Sequence, residues 1–388
     1  MNTSHFTEEH ELFRKSFREF LQKEVVPHIE KWEKTGTIDR FIWKKFGDMG
    51  YFGLVYPEKY GGMGLDLFYM VIYLEELQRI NSGGFAAAMW VHVFLAMTHV
   101  HKEGSEALKE KYLTASISGD LIGCLCISEP FGGSDVAGMK TTAVKKGDTY
   151  IINGSKTFIT NGIYSDYLVV VAKTTPELGT KGMSIFMVDR DTPGIAATKL
   201  DKLGWRASDT AEIAFDNVVV PASNLMGEEG KGFNYVMQHF ALERLVMAIN
   251  AHASAEYALE YALQYMSERK AFGKKINEFQ ALRHKIADLS SEVEMCKIFN
   301  YHVAQRLDKG EYVVKEATMS KLLSTKMADK VIYDCLQFLG GYGYMEDYPL
   351  ARMLRDSRLG PIGGGTSEIL REIIAKMIID GKEYKPAT

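Results

Sequence analysis

The chain has 388 residues, of which 46% are apolar and 25% charged, and its formal net charge is −4. That length suits two or three packed layers around a large core, and the slight acidity excludes the basic stripe of a nucleic-acid binder. No apolar run reaches the roughly eighteen residues that span a bilayer, and the polar, acidic start from Met1 to Glu11 is unlike a signal or transit peptide. A cytoplasmic protein is expected, or one of the mitochondrial matrix only if a transit segment has been removed.

The first stretch, 1–121, has helical periodicity. Leu12, Phe13, Phe17, Phe20, Leu21 and Val25 recur at three- and four-residue spacing until Pro27, which is expected to end the run. Further helical runs fall near 38–50, 67–80, 85–101 and 105–117, with a glycine-rich break at Tyr60-Gly61-Gly62-Met63-Gly64.

From 122 to 232 short apolar strands alternate with turn signals. Tyr150-Ile151-Ile152 precedes Asn153-Gly154, and Tyr167 to Ala172, Ile185 to Val188 and Ile213 to Phe215 follow, with Asp216-Asn217 as punctuation. This spacing predicts a small antiparallel barrel or sandwich. Helices do not alternate with the strands, which disfavours a parallel nucleotide-binding sheet. From 233 to 388 the helical period returns. Phe233 to about Arg269 contains no proline or glycine and predicts a helix of roughly 54 Å, and further runs cover 278–308, 313–339 and 366–380. Helices of this length belong to bundles. The expected fold is therefore multi-domain α+β: an α-helical domain, a β domain, and a four-helix bundle.

Cys124 and Cys126, two apart in a strand-like stretch, point the same way and leave little room for a bridge. With Cys296 and Cys335 they read as free thiols. No cysteine–histidine cluster or His-Glu-x-x-His is present, so no metal site is expected. Gly340-Gly341-Tyr342-Gly343 follows no strand and lacks a P-loop lysine, so alone it reads as a helix stop. Ser128-Glu129-Pro130-Phe131-Gly132-Gly133-Ser134-Asp135 and Phe158-Ile159-Thr160-Asn161-Gly162 read, alone, as turns. Glu243 has the helical neighbours His239, Phe240, Val246 and Met247. On such a face a carboxylate is paired, exposed, or desolvated with a raised pKa, and from the residues alone a paired or solvated one is the simpler reading.

In this order, Ser128-Glu129-Pro130 with Gly133-Ser134-Asp135, Phe158 to Gly162, Glu268-Arg269-Lys270-Ala271-Phe272-Gly273, Gln337 to Tyr344 and Gly365-Thr366-Ser367-Glu368-Ile369 resemble the acyl-CoA dehydrogenase family over nearly the whole chain. The resemblance implies α-helical, β-barrel-like and four-helix domains, a homotetramer, and FAD held partly by a neighbouring subunit. It also implies an acyl-CoA substrate and an electron-transfer flavoprotein as acceptor. Ser128, Ser134, Phe158 and Thr160 match flavin contacts. Arg269, Phe272, Gln280, Gln337 and Gly341 match positions at the cofactor's pyrophosphate and adenine end, Thr366 and Glu368 match a further cofactor contact, and Ser134 and Arg244 match positions touching the thioester. The implied reaction removes the α-proton to a carboxylate and the β-hydrogen as hydride to the flavin, giving a trans-2-enoyl-CoA. The Gly364 N–H and a ribityl hydroxyl would polarise the thioester carbonyl.

One departure carries information. Most members of the family place the catalytic glutamate just before the Gly-Thr of the last loop, where this chain has Gly364. A minority, including isovaleryl-CoA and long-chain acyl-CoA dehydrogenases, carry it on the long helix before an arginine, and Glu243-Arg244 matches them. Glu243 is thus expected to be the base, with Gly364 leaving space for it and the substrate a long or branched acyl chain. Phe131 and Phe158 replace a usual glycine and a common tryptophan. An oxidase of the same fold and an inactive assembly subunit are the alternatives.

Overall fold

The computed structural model describes residues 5–383, so the outermost residues of the first and third expected domains lie outside the described residues. Helix α1 (Glu8–Phe20) is capped by Thr7. Pro27 kinks the run rather than ending it. Without a proline N–H the chain widens over Leu21–Val25, tightens over Val26–His28, and resumes as α2 (Ile29–Thr35). It resumes because Ile29 and Trp32 continue the buried stripe. Helices α3 (Arg40–Asp48), α4 (Leu67–Gln78), α5 (Gly83–Glu103) and α6 (106–117) complete the first part. Against expectation, the 21-residue α5 contains an 18-residue window apolar and long enough to cross a bilayer, with a mean hydropathy of 1.3. That window is 89% buried inside the protein, so α5 is the core helix of the domain. Scattered His92, Thr98 and His99 had broken the apolar run in the sequence.

The strands are β1 (Gly123–Cys126), β2 (Thr142–Lys146), β3 (Thr149–Thr160), β4 (Tyr167–Lys173), β5 (Met183–Asp189), β6 (Ile195–Lys199), β7 (Thr210–Pro221) and β8 (Leu225–Met226). They form one eight-stranded sheet. Most pairings are antiparallel, but β1 runs parallel to β4, from Gly123↔Tyr167 to Cys126↔Val170. The long connection between them, which contains the β2–β3 hairpin, makes the required crossover. β4 reads as an unbroken apolar run because both its faces are covered. Tyr167, Val169 and Val171 join the helical core, and Leu168, Val170 and Ala172 join the core inside the sheet. Cys124 and Cys126 lie in that inner core as free thiols, with sulfurs 3.8 Å apart.

Neither Asn153-Gly154 nor Asp216-Asn217 is a turn. Both lie inside long strands and face one another where the β3–β7 register slips between Ile152 and Gly154. Asn217 N donates to Asn153 Oδ1 at 2.8 Å. A Cβ at Gly154 would meet Thr141 at 2.5 Å, so glycine here admits a close neighbour.

Helix α7 (Gly232–Glu268) has 37 residues, roughly 55 Å. The two-residue strands β9 (Lys270–Ala271) and β10 (Lys274–Lys275), α8 (Gln280–Asp308), α9 (Val314–Phe338), α10 (Pro349–Ser357) and α11 (Ser367–Ile379) follow. Three long helices and the shorter α11 make the bundle. One carboxylate ties the three parts together: Asp356 accepts from Gly83 N at 3.0 Å and from Trp205 N at 2.6 Å.

Candidate active site

β1 leads into a loop organised by a buried ion pair. Glu129 accepts from Lys140 N at 2.6 Å, Thr141 N at 3.0 Å and Lys156 Nζ at 2.9 Å. Lys156, with no exposed surface, also donates to Ile127 O at 3.0 Å. Burial pushes the Glu129 carboxyl up, but Lys156 and the backbone donors outweigh it and hold the group below its ordinary range. The loop sits on a second irregularity in β3. Ser128 O accepts from Thr157 N at 2.9 Å, and the register slips between Lys156 and Ile159. There Phe158 has φ +61° and stands 70% exposed. A bulky residue in the left-handed region is strained, and such strain gathers at functional sites. The structure thus brings Ser128 and Phe158 together, with Thr160 two residues on in the ladder opposite Thr210. Ser134 lies on the exposed part of the loop, which Asp135 closes by accepting from Gly138 N at 3.0 Å. Phe131 is accommodated without a positive φ, exposed beneath the Lys140 ammonium.

Glu243 lies on the buried face of α7, only 8% exposed, and its Oε1 has no hydrogen-bond partner. Its neighbours are engaged elsewhere. Arg244 Nη1 donates to Thr318 Oγ1 at 3.0 Å, and His239, one turn back, lies 2.9 Å from Glu103. Burial pushes the Glu243 carboxyl up to about 8, against the pull of Arg244. An unpartnered buried carboxyl costs folding stability and is the kind of group found where chemistry occurs. The unfolded chain releases this proton near the ordinary value of 4.5 and the folded chain near 8. Between those values the folded state holds the extra proton, so stability falls as pH rises. Glu243→Gln abolishes that slope. The variant's gain in melting temperature over the parent should therefore be larger at pH 9 than at pH 5, measured on flavin-free protein.

The loop after α10 is bracketed by Gly363 N bonding Leu359 O at 2.8 Å and Ser367 N bonding Pro361 O at 3.0 Å. Gly364 and Gly365 have φ of +61° and +93°. A Cβ at Gly364 would lie 2.4 Å from Met247 Sδ. The space expected to admit the Glu243 carboxylate is therefore occupied by Met247, one turn beyond Glu243 on α7. Thr366 caps α11, accepting from Ile369 N at 3.3 Å, and the exposed Glu368 pairs with Arg371 at 3.3 Å.

Arg269, Phe272, Gln280, Gln337 and Gly341 gather at the far end of the bundle. The Arg269 guanidinium lies over the Tyr342 ring, 5.8 Å from its centroid, and Tyr265 OH donates to Leu339 O at 3.5 Å. Phe272, in the β9–β10 turn, has φ +51° and is 95% exposed. A Cβ at Gly341 would meet nothing within 4 Å, so packing within this chain does not require a glycine there. About seven turns and roughly 39 Å of helix axis separate Arg269 from Glu243.

The family models for the N-terminal, middle and C-terminal domains of acyl-CoA dehydrogenase match residues 7–120, 124–218 and 230–379. The chain is 39% identical over 382 residues to the long-chain specific acyl-CoA dehydrogenase of Mus musculus, covering 96% of this chain and 87% of that protein. To the isovaleryl-CoA dehydrogenase of Oryza sativa subsp. japonica it is 40% identical over 374 residues, covering 96% and 91%. The crystal structure of an acyl-CoA dehydrogenase from Geobacillus kaustophilus superposes with a TM-score of 0.95 at 42% identity, covering 97% and 99% of the two chains. The chain belongs to the acyl-CoA dehydrogenase family. It is a flavin-dependent oxidoreductase of acyl-CoA thioesters.

Acyl-CoA dehydrogenases bind FAD, and this chain's residues fit that group. Phe158 and Phe272 hold exposed aromatic faces at strained backbone positions, Gly341 leaves its backbone open, and Arg269 and the N-terminus of α11 suit an anionic pyrophosphate.

Sequence reasoning passed over Lys156 and Lys321, and took Met247 only as a helical neighbour of Glu243. The two lysines left a signal. Lys156 keeps the inward phase of Tyr150 and Ile152, and Lys321 stands on the buried stripe with Ala317, Ser324 and Ala328. A lysine in a core phase marks a buried charge with a specific partner. Met247 left none, because only the fold sets it against Gly364.

Proposed function

We propose that this acyl-CoA dehydrogenase converts a long-chain or branched acyl-CoA to its trans-2-enoyl-CoA, with Glu243 as the base. The observation that carries the reading is the buried Glu243 carboxyl with an unpartnered oxygen, combined with glycine at position 364. Glu243 takes the α-proton at its carboxylate; excluding water there raises its basicity toward the task. The Gly364 N–H donates to the thioester oxygen, where the enolate charge develops. Ser134 contacts the thioester end, and Arg244, held by Thr318, keeps a positive charge beside the base. The chemistry that bound FAD would supply is an acceptor for the hydride leaving the β-carbon. Ser128, Phe158 and Thr160 would flank its ring, and Arg269, Phe272, Gln280, Gln337, Gly341, Thr366 and Glu368 would hold its remaining length.

The roughly 39 Å between Glu243 and Arg269 supports a cofactor shared between copies of the chain, and the proposed assembly, from the family resemblance, is a homotetramer. Exposed Phe272, Met295, Ile298, Leu323 and Tyr333 on the bundle supply apolar surface for such contacts. The proposed electron acceptor is an electron-transfer flavoprotein. The relatives from Mus musculus and Oryza sativa are named for long-chain and isovaleryl substrates, which supports the substrate class. The inactive reading needs Glu243 to be structural, and its unpartnered oxygen opposes that.

Anaerobic mixing with a panel of straight and branched acyl-CoAs tests the proposal. Long or branched thioesters should bleach the flavin absorbance. If none does, or a short straight chain is the best substrate, the reading fails.

A further inference from the structure

We propose that Lys321 is a positioning residue whose buried ammonium locks the Gly363-Gly364-Gly365 turn at a set distance from Glu243. This rests on the reading of Glu243 and Gly364 given above.

Lys321 has no exposed surface, and its Nζ donates to Gly365 O at 2.7 Å. None of the salt bridges among the described residues includes it, so a backbone carbonyl is its hydrogen-bonded partner. Burying an ammonium is unfavourable, and an apolar residue would fill this helix face at lower cost. Burial and the nearby Arg244 push the Lys321 ammonium down to about 8, which is the strain of keeping it there.

The turn it holds needs an anchor. Two successive glycines with positive φ carry no side chain to pack and have the greatest backbone freedom of any residue. The bonds at Gly363 N and Ser367 N bracket the turn without tying its middle carbonyl. Lys321 ties that carbonyl. One turn earlier on α9, Thr318 accepts from Arg244, the residue next to Glu243. A single face of α9 therefore holds both the helix that carries the base and the loop that carries the polarising N–H.

The test uses flavin-loaded Lys321→Met, Lys321→Arg and Glu243→Gln proteins. It reads anaerobic flavin reduction at saturating acyl-CoA, the spectral Kd of that acyl-CoA, and flavin content. Losing an oxyanion donor outright costs ~10²–10³ in rate, so a displaced donor should cost about 10–100-fold. Lys321→Met should lose that much rate with Kd and flavin content within about twofold, and Lys321→Arg should recover most of it. An unchanged rate per loaded site in Lys321→Met, or a loss that only follows flavin content, overturns the proposal. If Lys321→Met does not load flavin, Lys321→Gln decides: a slowed rate per loaded site supports the proposal and an unchanged one overturns it. Activity surviving in Glu243→Gln sinks the reading of the base instead, so the two failures are told apart.

Discussion

Glu243→Gln should slow substrate-dependent flavin reduction by roughly 10²–10⁴-fold, the range that a positioned general base contributes, while FAD and acyl-CoA still bind. The substitution keeps volume and polarity, so the helix packing around position 243 is preserved. What is lost is an acceptor for the α-proton. No other carboxylate is available from the loop, since position 364 is a glycine whose side-chain space holds Met247. In the parent, kcat/KM should climb with pH and level off above about 8, because burial holds the carboxyl protonated below that value. Stopped-flow reduction across pH 6 to 10 reads both effects. Retained turnover in Glu243→Gln would remove the base from Glu243.

The second large effect concerns the floor of the loop after β1. Lys156→Met should destabilise the middle domain by about 3–5 kcal/mol, the usual result of stranding one partner of a buried ion pair. Glu129 would keep its bonds from Lys140 N and Thr141 N but lose the one cation within hydrogen-bond reach among the described residues. Its charge would then be buried without compensation. Protonation relieves that charge, so the loss should be smaller at pH 5 than at pH 8. Because Ser128 and Thr157 are joined directly above the pair, the flavin loop should loosen with it. Flavin release at lower temperature in a fluorescence-monitored melt checks the prediction. Release at the parent temperature at both pH values would show that the pair carries no such weight.

Much of the fold was legible in the residues because periodicity is a local property. Three- and four-residue spacing marked the long helices to within a few positions, and short apolar runs marked most strands. The misreadings share one cause. Pro27, Asn153-Gly154 and Asp216-Asn217 carry local signals for an end or a turn, and tertiary packing overrode each. Ile29 and Trp32 had a core to rejoin, and β3 and β7 had each other's bulges to pair with. The same limit applied to α5, whose composition resembles a membrane span until its surroundings are known.

For the candidate site, the amino-acid sequence by itself determined the family motifs, the glycine at loop position 364 and the Glu243-Arg244 pair on which the proposed base rests. These are matters of which residue stands where along the chain. The tertiary structure alone decided that Glu243 is desolvated and unpartnered, that Met247 fills the space beside Gly364, and that Lys156 and Lys321 are buried ties. Each depends on surfaces that meet across many intervening residues. Burial, and with it the pKa of a carboxyl, belongs to that meeting of surfaces rather than to the residue.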